Sequence, residues 1–380
     1  MRAVRNVLFL GSALALTACG GEMDMNVEAA ELGQSGAPLK QAAPGTAIAG
    51  QYIVVLKDGA APQATAEAAG ISPRYTYNII NGFAASLNEA QLTALRQNPA
   101  VEYIEEDGVA TADTTQSSAT WGIDRIDQRS LPLSGTYNYT TTASNVRAYI
   151  LDTGLQANHT QFGTRAQNVY DAFGGDGSDC HGHGTHVGGT VGGSTWGVAK
   201  GVLLRGVKVL DCNGSGSWSG IIAGMDWVKN NRLNPAVANA SLGGGYNSSV
   251  NTAANNLANS GVFFAVAAGN NSADACNYSP ASATYATTTG STTSSDGRSS
   301  FSNYGSCVDI YAPGSSITSA KLNGTSTAMS GTSMASPHVA GVGALYKATY
   351  GDLTTSTVDS WIKNNGTSLS FGKLLYKSSL

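Results

Sequence analysis

The feature that most constrains this chain is a hydroxyl residue placed where a glycine turn meets an apolar run. Gly331-Thr332-Ser333-Met334-Ala335-Ser336-Pro337-His338 leads straight into the Ala/Gly-rich stretch 339–346, which reads as a buried helix. Pro337 is expected in that helix's first turn, where its missing N–H has no partner to lose. A serine at a helix N-terminus lies beside unpaired backbone N–H groups, which can bind a developing negative charge. That is half of an acyl-transfer site. Taken alone, such a serine is far more often a plain helix cap, so the rest of the chain has to decide.

With 380 residues, 42% hydrophobic and 12% charged, the chain can bury one large core and hold a smaller unit beside it. Charge is unevenly spread. Residues 1–113 carry 6 Lys/Arg against 12 Asp/Glu, residues 114–380 carry 15 against 13, and no glutamate follows Glu106. Opposite signs imply two units that attract one another. The net charge of −4 argues neither way on nucleic acid, and no nucleic-acid partner is expected.

Arg2 and Arg5 precede an apolar run, 7–16, too short to span a bilayer and suited to a signal-peptide core. Leu16-Thr17-Ala18-Cys19 resembles the bacterial lipobox, with Cys19 as the lipidated residue; the competing site is ordinary cleavage after Ala13-Leu14-Ala15. Either route exports the protein, to the cell surface or beyond. Residues 1–19 are thus expected to be the signal and 20–47 a flexible tether. Cys180, Cys212, Cys276 and Cys307 remain, an even number for an oxidising compartment. None are spaced as C-x-x-C, which favours two disulfides over zinc and leaves three pairings open.

The acidic segment alternates between strand and helix signals. Residues 52–57 read as a strand, 60–69 as an Ala-rich helix, and 77–87 as further strand with Asn81-Gly82 as its turn. Asn88 caps a helix over 89–97 whose Leu92 and Leu95 face a core, and 101–105 alternate as a last strand. The order β-α-β-β-α-β is that of a ferredoxin-like α+β unit.

Three further stretches bear on Ser333. Residues 147–151 form a short apolar strand ending in Asp152-Thr153-Gly154. Open parallel sheets gather their ligands at such strand ends, though a turn aspartate looks the same locally. Asp179-Cys180-His181-Gly182-His183-Gly184-Thr185-His186 holds three of the five histidines and enters a small-residue helix. Clustered imidazoles suggest a metal, but an H-E-x-x-H hydrolase needs a glutamate base, and none exists here. Finally, a buried strand over 262–267 leads through Ala268 and Gly269 to Asn270, whose amide can donate to an oxyanion.

The order is therefore Asp152, His183, Asn270, Ser333. α/β-hydrolases run Ser, Asp, His around G-x-S-x-G, whereas Ala335 stands two after this serine. Trypsin-like enzymes run His, Asp, Ser. Asp, His, Ser is the subtilisin order, and Asp-Thr-Gly, His-Gly-Thr-His and Gly-Thr-Ser-Met-Ala resemble that family's three signatures. Residues 210–217, 241–245 and 299–305 are similar to its proteinase K and aqualysin branch. The resemblance covers residues 114–380 and implies an α/β fold with a mostly parallel central sheet flanked by helices. The acidic unit, 48–113, resembles the I9 inhibitor propeptides of such proteases.

The resemblance implies a broad-specificity serine endopeptidase made as a self-processing zymogen. Ser333 is then the nucleophile, His183 the general base and acid, and Asp152 the group that orients the imidazole. Asn270 and the Ser333 N–H form the oxyanion hole. His186 and His338 fall on structural positions, His159 in a core-facing turn, and His181, where relatives often carry Asn or Gly, takes no role. Gly214-Ser215-Gly216 and Ser241-Leu242-Gly243 clamp a peptide as an added strand, and Ala267-Ala268-Gly269 wall a P1 pocket for apolar or aromatic residues. The same resemblance pairs Cys180 with Cys212 and Cys276 with Cys307. It places structural calcium on Asp309 with the Thr284 and Ala286 carbonyls, and again on Asp124, Asp127 and Gln128 with carbonyls near Ser134 and Thr136. The expected partners are protein and peptide substrates and the chain's own propeptide, acting as chaperone and inhibitor. The mature protein, starting near residues 112–115, is expected to be a monomer without a C-terminal accessory domain. The competing reading is a catalytically dead surface lipoprotein that uses the fold for binding.

Overall fold

The computed structural model describes residues 36–42, 47–109 and 114–380. The export signal, Cys19, most of the tether and Ala112-Asp113 lie outside the described residues. The chain divides into two compact units, a smaller one that includes Tyr52–Glu105 and a larger one that includes Glu106–Leu380. Among the described residues no helix is long and apolar enough to cross a membrane.

In the smaller unit the strands Ala47–Leu56, Tyr75–Tyr77, Gly82–Ser86 and Val101–Gly108 alternate with the helices Pro62–Ala68 and Glu89–Gln97 in the expected order. Asn88 caps the second helix as read: Asn88 Oδ1 accepts Gln91 N–H at 2.9 Å while Gln91 Oε1 accepts Asn88 N–H at 3.1 Å, a reciprocal capping box. Two expectations need correcting. Asn81-Gly82 is not the turn, because Gly82 already pairs with Tyr77 in the strand and residues 78–81 make the reversal. Glycine at 82 answers a close approach instead, since a Cβ there would lie 2.3 Å from the Val54 carbonyl. Nor is the tether featureless to its end: Leu39–Lys40 pairs in parallel with Val101–Gly108, covering an edge that would otherwise present unpaired backbone groups.

The larger unit is built on a nine-stranded sheet. Its order is Ala166–Asp171, Leu203–Lys208, Arg147–Asp152, Ala236–Ala240, Phe263–Ala267, Thr287–Thr292, Ile310–Pro313, Gly372–Leu374, Thr367–Leu369. All neighbours are parallel except the closing hairpin. The central strands are apolar on both faces, as a sheet covered on both sides requires. Alternation then assigns each side chain to a layer. Ala148, Ile150, Phe263 and Ala265 pack with Val187 and Val339 of the helices His183–Gly192 and Thr332–Tyr350. Tyr149, Leu151, Phe264 and Val266 pack with Met225 and Leu257 of Trp218–Asn231 and Ser248–Asn259 on the other side.

From Arg147–Asp152 the chain runs to one edge and returns, then crosses to Ala236–Ala240 on the other side. The order therefore reverses between these two strands, and ligand crevices open outside the carboxyl ends at such a reversal. Asp152 ends one strand and Ser241 directly follows the other.

Candidate active site

His183 is the first residue of its helix, behind Gly182 at φ 102°. The turn that delivers it is organised by Asp179, a buried carboxylate. Asp179 Oδ1 accepts Thr153 Oγ1–H at 2.8 Å, His181 N–H at 2.9 Å and Gly182 N–H at 2.8 Å. Its Oδ2 accepts the N–H and the hydroxyl of Thr185 at 2.9 and 2.6 Å. These five donors fix the turn ahead of the helix around one side chain. The sequence reading passed over Asp179, although an aspartate just ahead of a helix with threonine in its first turn is a capping signal.

Asp152 is fully buried, and its Oδ1 lies 2.7 Å from His183 Nδ1 while also accepting Thr153 N–H at 2.8 Å. The carboxylate can only accept, so Nδ1 carries the hydrogen and Nε2 is the basic nitrogen. Burial of the ring works against its protonation. The charge and hydrogen bond of Asp152, with the charge of Asp179, outweigh it, and His183 holds its proton above the ordinary imidazole value of 6.5.

Ser333 is the second residue of the helix Thr332–Tyr350. Its Oγ donates to the Ser241 carbonyl at 3.1 Å. Pro337 sits inside this helix, beyond the first turn where the sequence placed it, because the helix already begins at Thr332. Asn270 Oδ1 accepts the N–H and the hydroxyl of Thr332 at 2.8 and 3.0 Å. A backbone N–H only donates, so the amide oxygen faces Thr332 and Nδ2 faces away. Neither Asn270 Nδ2 nor Ser333 N–H has a partner among the described residues. Both border the space beside Gly331: a Cβ built there would lie 3.5 Å from Asn270 Nδ2, 3.6 Å from Ser333 N and 3.7 Å from Asn270 Oδ1.

Two cavities adjoin this group and share Leu242 and Gly243. One, of about 590 Å³, is lined by His181 and His183 and by Gly214-Ser215-Gly216 facing Ser241-Leu242-Gly243. The other, of about 390 Å³, has Ala267-Ala268-Gly269 and Tyr278 on its walls with Asn270 and Ser333 at its rim, and no charged side chain lines it. The exposed His181 ring is 6.3 Å from that of His183, edge to face. The other histidines are structural. His186 Nε2 bonds the Ile317 carbonyl at 3.0 Å and His338 Nδ1 the Met334 carbonyl at 2.9 Å. Burial pushes both down to about 4, so they are uncharged at neutral pH. His159 is buried too, with Nε2 on the Gly324 carbonyl at 2.9 Å.

Both disulfides form, Cys180–Cys212 and Cys276–Cys307. The first joins the loop of His183 to the segment that enters Gly214. The two calcium positions fare differently. Asp309 is partly buried, and burial raises its carboxyl above the ordinary carboxylate value. Its Oδ2 accepts Thr288 N–H, and its Oδ1 faces Lys363 Nζ at 3.2 Å, an ammonium held more tightly by Asp359 at 2.6 Å. One hard oxygen of Asp309 is thus shared only with an ammonium and can meet a cation. In the second set Asp127 Oδ1 likewise faces an ammonium, Lys377 Nζ at 3.3 Å, with more internal donors around it. Both Asp124 oxygens accept donors from Ser134 and Gly135, Gln128 Oε1 accepts Ser134 N–H, and Asp127 is taken by Asn138 and Lys377. Among the described residues no three His, Cys, Asp or Glu side chains converge on a metal position.

The subtilase family matches residues 144–377, and the peptidase inhibitor I9 family matches residues 51–113. The chain belongs to the subtilase family. It is 53% identical over 299 residues to an extracellular serine proteinase of Thermus sp. (strain Rt41A), covering 77% of this chain and 72% of that protein. It is 48% identical over 361 residues to Proteinase R of Parengyodontium album, covering 91% and 92%. The crystal structure of a cold adapted subtilisin-like serine proteinase aligns with a TM-score of 0.68 at 51% identity, over 70% of this chain and 100% of that one. The protein is thus a serine protease carried with its inhibitor propeptide, on the fold the sequence implied.

Gly331 has extended backbone, with φ and ψ both at 161°, and its absent Cβ would meet nothing closer than 3.5 Å. Gly331→Ala is therefore expected to fold normally while placing a methyl group beside both nitrogens. Its kcat on a peptide substrate should fall by about 10²-fold or more, the loss known for one oxyanion donor in a subtilisin, with the melting temperature nearly unchanged. Wild-type kcat in this variant would show that the space is not used.

Proposed function

We propose that Ser333 Oγ attacks the scissile carbonyl, His183 Nε2 takes its proton and returns it to the leaving amine, and Asp152 holds the ring and stabilises its cation. Ser333 Oγ must leave the Ser241 carbonyl for His183 as substrate binds; such bonds often tighten only in the Michaelis complex. Asn270 Nδ2 and the Ser333 N–H stabilise the tetrahedral oxyanion. The observation that supports this reading most is that Ser333 and Asn270, whose N–H donors have no partner among the described residues, line a cavity adjoining the one lined by His183, itself held by Asp152 at 2.7 Å. The substrate lies as an added strand between Gly214-Ser215-Gly216 and Ser241-Leu242-Gly243, whose main-chain bonds are blind to sequence. The uncharged cavity beside Ala267-Ala268-Gly269 takes the P1 side chain, so apolar or aromatic P1 residues are preferred. The enzyme works as a monomer.

Four groups in these relations also argue against a purely binding role. Casein hydrolysis with and without a serine-directed inhibitor separates the two readings. Wild type should hydrolyse casein and lose activity on inhibition, and Ser333→Ala should accumulate as unprocessed precursor. An inactive wild type, or a Ser333→Ala chain that still matures, would overturn the assignment.

Calcium is proposed at Asp309, with the carbonyls of Thr284 and Ala286. Hard oxygen ligands suit it, and its role is to stabilise, not to react. A chelator should lower the melting temperature of wild type and leave that of Asp309→Asn unchanged. An equal response in both would place calcium elsewhere, and no response in wild type would remove it.

Export is proposed to run through the lipobox-like signal, with Cys19 as the lipid acceptor. The wild-type precursor should then fractionate with membranes and Cys19→Ala should not. Identical fractionation would favour ordinary cleavage near Ala15.

A further inference from the structure

The carbonyl of the proposed nucleophile lacks its helical partner. In an α-helix the N–H of residue 337 would bond the carbonyl of residue 333, but residue 337 is proline and has no N–H. Ser241 fills the gap: its Oγ donates to the Ser333 carbonyl at 2.7 Å. The two serines are therefore joined twice, since Ser333 Oγ donates to the Ser241 carbonyl. Behind Ser241 lies a buried chain. Asn239 Nδ2 donates to Ser241 Oγ at 2.9 Å, and Ser336 Oγ donates to Asn239 Oδ1 at 2.7 Å. Asn239 and Ser336 are fully buried and Ser241 nearly so.

The direction of every proton in this chain follows from its end. The Ser333 carbonyl can only accept, so Ser241 must give its single hydroxyl hydrogen there. Ser241 Oγ can then only accept from its other neighbour, which sets the Asn239 amide with Nδ2 towards Ser241 and Oδ1 towards Ser336. Ser336 in turn can only donate. One carbonyl thus orders the network, and the network fixes that carbonyl.

We infer that Ser241 Oγ, backed by Asn239 and Ser336, is a positioning group for the nucleophile. It replaces the helical hydrogen bond that Pro337 withholds and anchors the first turn of the Thr332–Tyr350 helix to the end of the Ala236–Ala240 strand. Without it the Ser333 carbonyl is left unpaired and the turn that carries Oγ is free to shift. This rests on Ser333 being the nucleophile, which an active wild type and an inactive Ser333→Ala establish separately.

The proline makes a rescue experiment available, because Pro337→Ala restores the missing N–H. The cycle compares wild type, Ser241→Ala, Pro337→Ala and the double variant. It reads kcat and KM on a peptide substrate, the rate of inactivation by a sulfonyl fluoride, and the melting temperature. Ser241→Ala is expected to lower kcat and the inactivation rate by roughly ten- to a hundred-fold, the scale of an unpaired buried acceptor, with KM little changed. In the Pro337→Ala background the same change should lower kcat less than about three-fold, because the new N–H takes over the carbonyl. A Ser241→Ala enzyme within two-fold of wild type, or one losing equally in both backgrounds, would overturn the proposal. Should Ser241→Ala fail to mature, Ser336→Ala takes its place, with an expected loss of about five-fold and the same relief. Equal losses in both backgrounds would again overturn it.

Discussion

The larger unit depends on the burial of one helix, Thr332–Tyr350. From Met334 to Lys347 every residue of it is buried, so it has no solvent face along most of its length. It meets its neighbours through glycines: a Cβ on Gly343 would lie 2.3 Å from the ring of Phe263 in the sheet, and one on Gly341 2.5 Å from Val198 in the loop before Leu203. Interiors packed this closely do not let an element slip. The position of Ser333 over the strand ends is thus decided by contacts well behind it. Even Lys347 conforms, its ammonium bonding the Gly261 carbonyl and Asp352 at 2.7 Å each.

A helix that rigid still has to present its first turn as reactive surface, and its N-terminal position and one exception to ordinary helix bonding achieve this. The first N–H groups of any helix lack an intrahelical partner. Thr332 gives its N–H to Asn270, which turns the amide donor outward, and Ser333 N–H has no partner among the described residues. The exception is Pro337, which leaves the Ser333 carbonyl to a side chain from another element, and it is tolerated because the buried body supplies the stability.

Much of this was legible in the sequence. Apolar runs located the central strands, and their polar ends marked Asp152 and Asn270, because parallel sheets hide their strands and expose their carboxyl ends. The order of the signature residues pointed to the family. What escaped were interactions between distant residues with no local pattern. Ser241 was read for its backbone, and the work of its hydroxyl depends on Pro337 and Asn239, which no spacing rule connects. Gly331 read as a turn residue, yet it has extended backbone and matters for the space it leaves. Pro337 was placed a turn too early because proline is common at helix starts. The Asp124, Asp127 and Gln128 set came from the family resemblance, and the donors its oxygens accept from Ser134, Gly135 and Asn138 have no local pattern that spacing could show.

The charges around His183 explain why three neighbouring histidines behave so differently. His186 and His338 are bonded to carbonyls and not to a carboxylate, and burial, aided by the neighbouring histidine in each case, strips their protons. His183 lies between two buried carboxylates, Asp152 in contact and Asp179 in the preceding turn, and these reverse the effect of burial. The positive end of its own helix opposes a cation on the ring, but the same helix end holds Asp179 in place. A ring that favours its cation is a stronger acceptor for the serine proton, and it is also protonated more readily as pH falls. In the proposed mechanism only the neutral ring can accept, so activity there declines as pH drops through that raised value. On that reading the acid limit of the enzyme and its power as a base have the same origin, the two carboxylates.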